Sequence, residues 1–502
     1  MTIVLVSLIL GAFAILYYYL THNYKYWQKR GIPCADGILP GIGHMLPAIT
    51  LRTTFPEFLS KMYNDNKNCS MVGFYSFTKP SLVVIEPQLV KTVLQANFSS
   101  FNRNVFQVDP DLDPLFALNP FNLIGEKWQA ARKRLTYAFS SMRLKILLES
   151  VKTVCVVFEN YLDNKLKETR KIEVELKDLC SKFTAQVVAG AGFGVDGYCF
   201  NEEKKDLSFQ KVGTAILQPN LRTKIVMMLT FIAPSLNKIL RVKAIPKHID
   251  NFFRTLVAEL IEQRRKDGKP RNDFLHLMTE LEKQEGTKFD LEVLTAHAMS
   301  FFIDGYETSS TVMSLVLYQL AVHQEIQKKL REEVMSVFEK YNGEITYEGL
   351  KEMTYMDQVL CESQRIIPTV GFQSKMCTEE FELKGSDGLV CRVQPTTEIQ
   401  IPVDGLHRDP KYWNNPEIFD PDRFSPENKQ SIDRFAFLPF GEGPRICPGM
   451  RMALLQIKAG LAVLLRKYSL ELSPKTKLPL KMIPGAILAS PEGGLWVKIQ
   501  QL

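Results

Sequence analysis

Stretches with apolar residues at the 3.6-residue helical period recur through most of this 502-residue chain, and they constrain its architecture more than any other feature. They run over Lys127–Phe139, Leu144–Leu166, Leu176–Val188, His248–Lys266, Leu291–Tyr341, Met356–Ile366 and Met450–Lys467. Alternating runs are short and few. MVGFYSF and SLVVIEP flank Thr78-Lys79-Pro80, FELKG and LVCRV flank a Gly-Ser-Asp-Gly turn, and GAILA and GLWVKIQ lie near the C-terminus. The pattern predicts a mainly α fold with a small β portion.

The first twenty residues, MTIVLVSLILGAFAILYYYL, carry no charge and make a helix about 30 Å long, enough to cross a bilayer core. No basic segment precedes the run and no small-x-small cleavage site follows it, so it reads as an uncleaved transmembrane anchor. Lys25, Lys29 and Arg30 come next, with Tyr24, Tyr26 and Trp27 as interfacial aromatics. The positive-inside rule then puts the N-terminus in the lumen and the rest in the cytoplasm. In that orientation the sequons Asn68-Cys69-Ser70 and Asn97-Phe98-Ser99 stay unglycosylated. Pro33, Pro40 and Pro47 mark a semi-rigid connector. The expected organisation is an anchor over 1–21, a connector over 22–50, and one domain over 51–502.

The nine cysteines are scattered, with no C-x-x-C pair and none at zinc spacing from a histidine, which disfavours a disulfide framework or a structural zinc. The seven histidines form no H-E-x-x-H. Gly192-Phe-Gly194-Val-Asp-Gly197 matches G-x-G-x-x-G but follows a helical pattern and opens no helix, so it reads as a glycine-rich helix end.

One cysteine stands apart, Cys447 in FGEGPRICPG. Pro448 is expected at the first position of a buried helix, whose dipole would favour a Cys447 thiolate. Gly443 and Gly449 would let the backbone approach a flat ligand, and Arg445 offers a fixed cation to an acidic group on it.

This F-x-x-G-x-R-x-C-x-G segment, with Phe440, Gly441 and Gly449 around the cysteine, resembles the haem-binding signature of the cytochrome P-450 family. Other marks follow in order along the chain. Trp128 and Arg132 fit W-x-x-x-R, Glu362 and Arg365 fit E-x-x-R, Pro421-Asp-Arg423-Phe424 fits P-x-R-F, and FFIDGYETSS fits the helix over the distal haem face. The resemblance implies the cytochrome P-450 fold behind one N-terminal transmembrane helix, and haem b (iron protoporphyrin) with Cys447 as axial thiolate. It implies propionate contacts from Trp128, Arg132 and Arg445. It also implies a structural Glu362-Arg365-Arg423 network, dioxygen hydrogen-bonded by Thr308, and protons relayed through Glu307. Gly305 is expected to let the helix bulge there.

Two positions depart from the family pattern. Asp304 replaces a small residue one turn before Thr308; it either pairs with a basic substrate, joins the proton path, or bonds backbone or water. Lys375 stands where many members place a propionate-binding arginine, and it keeps the charge without the two-pronged geometry.

The implied reaction is monooxygenation of a small lipophilic substrate, with electrons passed from NADPH by the membrane-bound NADPH-cytochrome P-450 reductase, and with cytochrome b5 as a second donor. The net charge of +7, with Lys127, Lys133 and Arg134, suggests a basic docking face for such acidic partners, and nothing implies nucleic acid. By the same resemblance Leu221–Leu240 roofs the substrate pocket and touches the lipid membrane. The texture is most similar to insect microsomal members that metabolise xenobiotics, which implies the endoplasmic reticulum and substrates such as plant toxins or insecticides, with endogenous steroids and lipids behind them. The alternatives are a hydroperoxide isomerase or peroxygenase, and a membrane-anchored haem sensor or electron carrier.

Overall fold

The computed structural model describes residues 1–502 apart from Gln107, Glu168, Pro219 and Ala233. Its principal helices are α1 (Thr2–Thr21), α2 (Phe55–Asp65), α3 (Gly125–Ala138), α4 (Ser141–Leu166), α5 (Leu176–Val188), α6 (Phe209–Leu217), α7 (Leu221–Met227), α8 (Pro234–Leu240), α9 (Lys247–Asp267), α10 (Leu291–Val322), α11 (Gln324–Lys340), α12 (Thr354–Ile366) and α13 (Met450–Lys467). The strands are β1 (Met71–Ser76), β2 (Lys79–Val84), β3 (Arg103–Asn104), β4 (Lys171–Glu175), β5 (Gln373–Met376), β6 (Phe381–Lys384), β7 (Val390–Val393), β8 (Glu398–Ile401), β9 (Tyr468–Leu472) and β10 (Trp496–Gln501).

Local chemistry sets the helix ends. At α2 the Thr54 hydroxyl accepts the Glu57 N–H at 3.2 Å while the Glu57 carboxylate accepts the Thr54 N–H at 2.9 Å, a reciprocal capping box. Asp290 starts α10 by accepting the Glu292 N–H at 2.6 Å. The run Leu291–Tyr341, expected as one helix, is two. His323 leaves helical geometry at φ −105°, ψ 83°, yet its N–H still bonds Gln319 and its carbonyl receives the Gln327 N–H. The backbone therefore turns without losing partners, and a break of that kind leaves the apolar period intact on both sides. GAILA, expected as a strand, is loop: Ile483 N–H bonds the Ser490 carbonyl and Ala489 N–H bonds that of Thr369. The Gly192–Gly197 motif is a helix end that continues α5 through a wide turn at Ala189–Phe193.

One compact unit comprises Met1–Val105, Val370–Glu417 and Ile432–Ile446. Helix α1 is long and apolar enough to cross a bilayer and buries none of its residues, which fits a membrane anchor. The segment after it folds onto a five-stranded sheet of order β1-β2-β8-β5-β3, in which β2 pairs β8 in parallel and the other pairs are antiparallel. Trp27, expected at a membrane interface, is instead 1% exposed, and its indole N–H donates to the Phe74 carbonyl at 3.0 Å. An aromatic next to an anchor reads as interfacial from sequence, but here the sheet offers both an apolar seat and an acceptor. Strands β6 and β7 form a separate antiparallel pair.

The other unit comprises Phe106–Thr369, Ile418–Ser431 and Cys447–Leu502. Its axis is α10, buried over most of its length and packed against α5, α9 and α13. Small residues let neighbours approach α10: a side chain at Gly213 in α6 would come within 2.3 Å of the Tyr306 ring. An antiparallel sheet of order β4-β10-β9 closes one part of this unit. Leu221, Leu236 and Ile239 on α7 and α8 are exposed at 74%, 44% and 77%, an apolar surface in keeping with the membrane contact expected of Leu221–Leu240.

Candidate active site

In the first unit the loop before Cys447 is pressed against protein. Gly443 has φ 74°, and a Cβ there would meet the Leu94 carbonyl oxygen at 1.8 Å, so only glycine fits. Phe440 and Gly441 precede it, both partly buried. Arg445 donates from Nε to the Asn102 carbonyl at 2.7 Å. Lys375, on β5, is 7% exposed and donates to Asn104 Oδ1 at 2.6 Å. Burial, together with the like charge of Arg445, pulls the Lys375 ammonium down to about 7.

In the second unit Cys447 stands just ahead of α13, whose N-cap is Gly449 and whose first residue is Met450. Pro448, expected as the first helical residue, lies outside the helix. The N–H groups of Gly449 and Met450 face the sulfur and favour a thiolate, but burial outweighs them and pushes the thiol up to about 11. A metal ion bound at the sulfur would hold it as thiolate. Gly449 leaves the sulfur room, since a Cβ there would come no closer than 4.0 Å. Helix α3 carries Trp128 and Arg132 one turn apart and partly buried, and the Arg132 charge acts on Cys447. Among the described residues no group of three or more His, Cys, Asp or Glu gathers as a metal set. In the second unit a lone thiol fits an iron ligand, and in the first a buried lysine on which no carboxylate acts fits a contact to an acidic group, the chemistry that an iron porphyrin with acidic edges requires.

Helix α10 runs unbroken through Gly305, without the expected bulge. The Gly305 carbonyl accepts the Gln456 side chain from α13 at 3.1 Å, and the same amide donates to Ser309 at 2.7 Å. Thr308 turns its hydroxyl back to the Asp304 carbonyl at 2.5 Å. Glu307 is ion-paired to Lys177 of α5 at 2.9 Å, and Lys177 also donates to Ser310 at 2.6 Å and lies over the Tyr306 ring. The Asp304 charge on this helix acts on Cys447. Burial raises its carboxyl to about 6 against the opposing hydrogen bond from Asn119 at 3.3 Å.

Glu362 and Arg365 of α12 are fully buried. Arg365 makes a two-pronged contact at 2.7 and 2.8 Å, Arg423 reaches the same carboxylate at 3.3 Å, and the Asp420 N–H adds a bond at 2.9 Å. Both oxygens of Glu362 thus accept hydrogen bonds, three on Oε1 and one on Oε2, the condition under which a buried ion pair is tolerable. Of the basic residues on α3, Lys127 is exposed, Lys133 pairs with Glu285 at 3.0 Å, and Arg134 lies over the Phe289 ring at 4.2 Å.

Four residues of these arrangements escape sequence reasoning: Asn104, Asn119, Lys177 and Gln456. Only Asn119 left a trace, as the first residue of an Asn-Pro turn.

Comparison with known proteins agrees with this geometry. The family model for Cytochrome P450 matches residues 37–497. Among curated relatives, Cytochrome P450 6a2 of Drosophila melanogaster is 33% identical, covering 99% of this chain and 100% of that protein. Cytochrome P450 6j1 of Blattella germanica is 32% identical over 96% and 95%, and Cytochrome P450 9e2 of the same organism is 32% identical over 98% and 97%. With the signature cysteine, its flattened loop and the match spanning nearly the whole chain, this protein belongs to the cytochrome P450 family of haem-thiolate monooxygenases.

Proposed function

We propose that this chain is an anchored monooxygenase of the endoplasmic reticulum, its catalytic part in the cytoplasm, that oxidises lipophilic xenobiotics with electrons from NADPH delivered by the membrane-bound reductase. The observation that carries the reading is Cys447, a lone thiol that follows a loop in which only glycine fits at 443, with the Arg132 charge acting on it within its own unit. The overall change is RH + O2 + NADPH + H+ to ROH + H2O + NADP+. Haem, when bound, would supply the oxygen-activating chemistry, and the Cys447 thiolate on its iron would favour O–O cleavage.

The chain's own residues bind, orient and move protons. Cys447 would hold the metal, and Arg445, Lys375, Trp128 and Arg132 are the residues that would hold the acidic groups of the haem. Thr308 has a hydroxyl that can exchange its partner at the Asp304 carbonyl for a bound ligand. Glu307 and half-exposed Lys177 link that helix to solvent, so protons enter at the Glu307 carboxylate. Glu362, Arg365 and Arg423 keep the segment before the cysteine loop in place.

The test begins with a reduced, carbon monoxide-treated membrane fraction, which should show the red-shifted Soret band of a thiolate-ligated haem. Turnover of a panel of plant toxins and insecticides should then require both NADPH and reductase. Turnover supported by peroxide alone would favour the peroxygenase reading, and occupied glycans at Asn68 or Asn97 would reverse the orientation.

A further inference from the structure

Gln456, in the second turn of α13, is 1% exposed and directs its side-chain amide at α10. The nitrogen donates to the Gly305 carbonyl at 3.1 Å and to the Ser309 hydroxyl at 2.7 Å. A carbonyl can only accept, so the nitrogen of the amide, and not its oxygen, must face Gly305. Gly305 and Ser309 are one turn apart on one face of α10, so a single planar group spans a full turn of that helix. The Gln456 Oε1 is buried and accepts no hydrogen bond among the described residues. A buried amide with an unused acceptor is less stable than an apolar side chain of the same shape, and core packing alone therefore does not account for glutamine at this position. What the amide adds is direction.

Direction matters here because the adjoining stripe of α10 carries the site. Asp304 and Thr308 lie about 100° round the helix from Gly305 and Ser309. The Thr308 hydroxyl bonds the Asp304 carbonyl at 2.5 Å, and the Asp304 charge acts on Cys447. A second neighbour holds the next carbonyl along: Thr184 of α5, fully buried, donates to that of Tyr306 at 3.0 Å. Two successive carbonyls of α10 are thus held from two different helices, which fixes the rotation of α10 about its axis at this level. A side-chain atom sits about 5 Å from a helix axis, so a rotation of about 10° moves it by about 1 Å. A displacement of that size at a reacting centre costs on the order of a hundredfold in rate. Gln456 belongs to the helix that Cys447 precedes, so it references the Thr308 hydroxyl to the sulfur through one rigid element.

We propose that Gln456 is a positioning residue for oxygen activation: its amide fixes the Asp304–Thr308 turn relative to the Cys447 sulfur, so that electrons end in product and not in hydrogen peroxide. The proposal rests on the monooxygenase reading above and adds to it the residue that sets the geometry. Without the amide, oxygen is released before it is cleaved, and the balance becomes O2 + NADPH + H+ to H2O2 + NADP+.

The test uses the haem-loaded, full-length enzyme with the reductase in lipid nanodiscs, and 7-ethoxycoumarin as the lipophilic reporter. NADPH oxidised, product formed and hydrogen peroxide released are measured together. Gln456→Leu keeps the volume and removes both hydrogen bonds; it should lower product per NADPH about five- to tenfold, with peroxide rising to match. KM and the rate of NADPH oxidation should stay within about twofold of the parent, a split that a merely structural loss would not produce. Ser309→Ala removes one of the two bonds and should lower product per NADPH about two- to threefold, and this arm decides if Gln456→Leu fails to load haem. Unchanged product per NADPH in the variants, or a product loss matched by an equal loss of NADPH oxidation, would overturn the proposal. A parent enzyme with neither the thiolate Soret band nor NADPH-dependent turnover would instead overturn the monooxygenase reading itself.

Discussion

Burial pushes the Cys447 thiol up to about 11 and pulls the Lys375 ammonium down to about 7, shifts that a bound iron and a bound carboxylate would oppose. Replacing Cys447 by serine should abolish the red-shifted carbon monoxide band while far-ultraviolet circular dichroism stays helical. Lys375→Met should speed haem transfer to apomyoglobin on the order of tenfold, and Lys375→Arg should restore slow transfer. A propionate partner raises the lysine's value above 7, so the wild-type advantage over Lys375→Met should be full below pH 7 and fade as pH rises through the raised value. Glu307→Gln should slow turnover by ~10²-fold and enlarge the solvent isotope effect, with substrate binding unchanged. The cysteine, its loop and the acid-threonine pair were legible because they are local in sequence. Asn104 and Lys177 were not, since their partners lie 271 and 130 positions away and a bond across that distance leaves no period or motif.

Helices were read closely where one face is buried throughout. The predicted Leu176–Val188 matches α5 end for end and the apolar run Met450–Lys467 matches α13, though Pro448 was expected to open that helix, whereas the break at His323 was hidden because α10 and α11 each keep the apolar rhythm. Short strands such as β5 and β8 were missed, since four residues paired to distant segments carry too little alternation to register. Two contacts between elements make predictions. Arg365→Met leaves Glu362 buried beside Arg423 alone, and should cost about 3–5 kcal/mol in urea unfolding together with loss of haem, because an uncompensated buried charge is worse than none. Gly213→Ala drives a methyl into the Tyr306 ring and should cost about 1–3 kcal/mol by the same measurement, with substrate affinity changed as α6 shifts from α10.

At the level of the whole chain, the anchor and the mainly helical class were evident from composition and period, but the interleaving of two units was not, because each is assembled from three separated segments. Membrane attachment should survive loss of the anchor in part. A chain lacking Met1–Thr21 should still float with lipid vesicles through α7 and α8, and Leu221→Asp combined with Ile239→Asp should lower that partitioning about tenfold or more. The parallel pairing of β2 with β8 carries a consequence for biogenesis. Ser81 lies beside Glu398, so the five-stranded sheet cannot close until more than three hundred further residues have left the ribosome. At ~5–20 residues per second this takes tens of seconds. Throughout that interval one edge of β2 is unpaired, while α1 already holds the nascent chain at the bilayer. The anchor thus confines an aggregation-prone half-sheet to a two-dimensional surface, and chaperones acting there, more than the final fold, would set how much active enzyme a cell obtains.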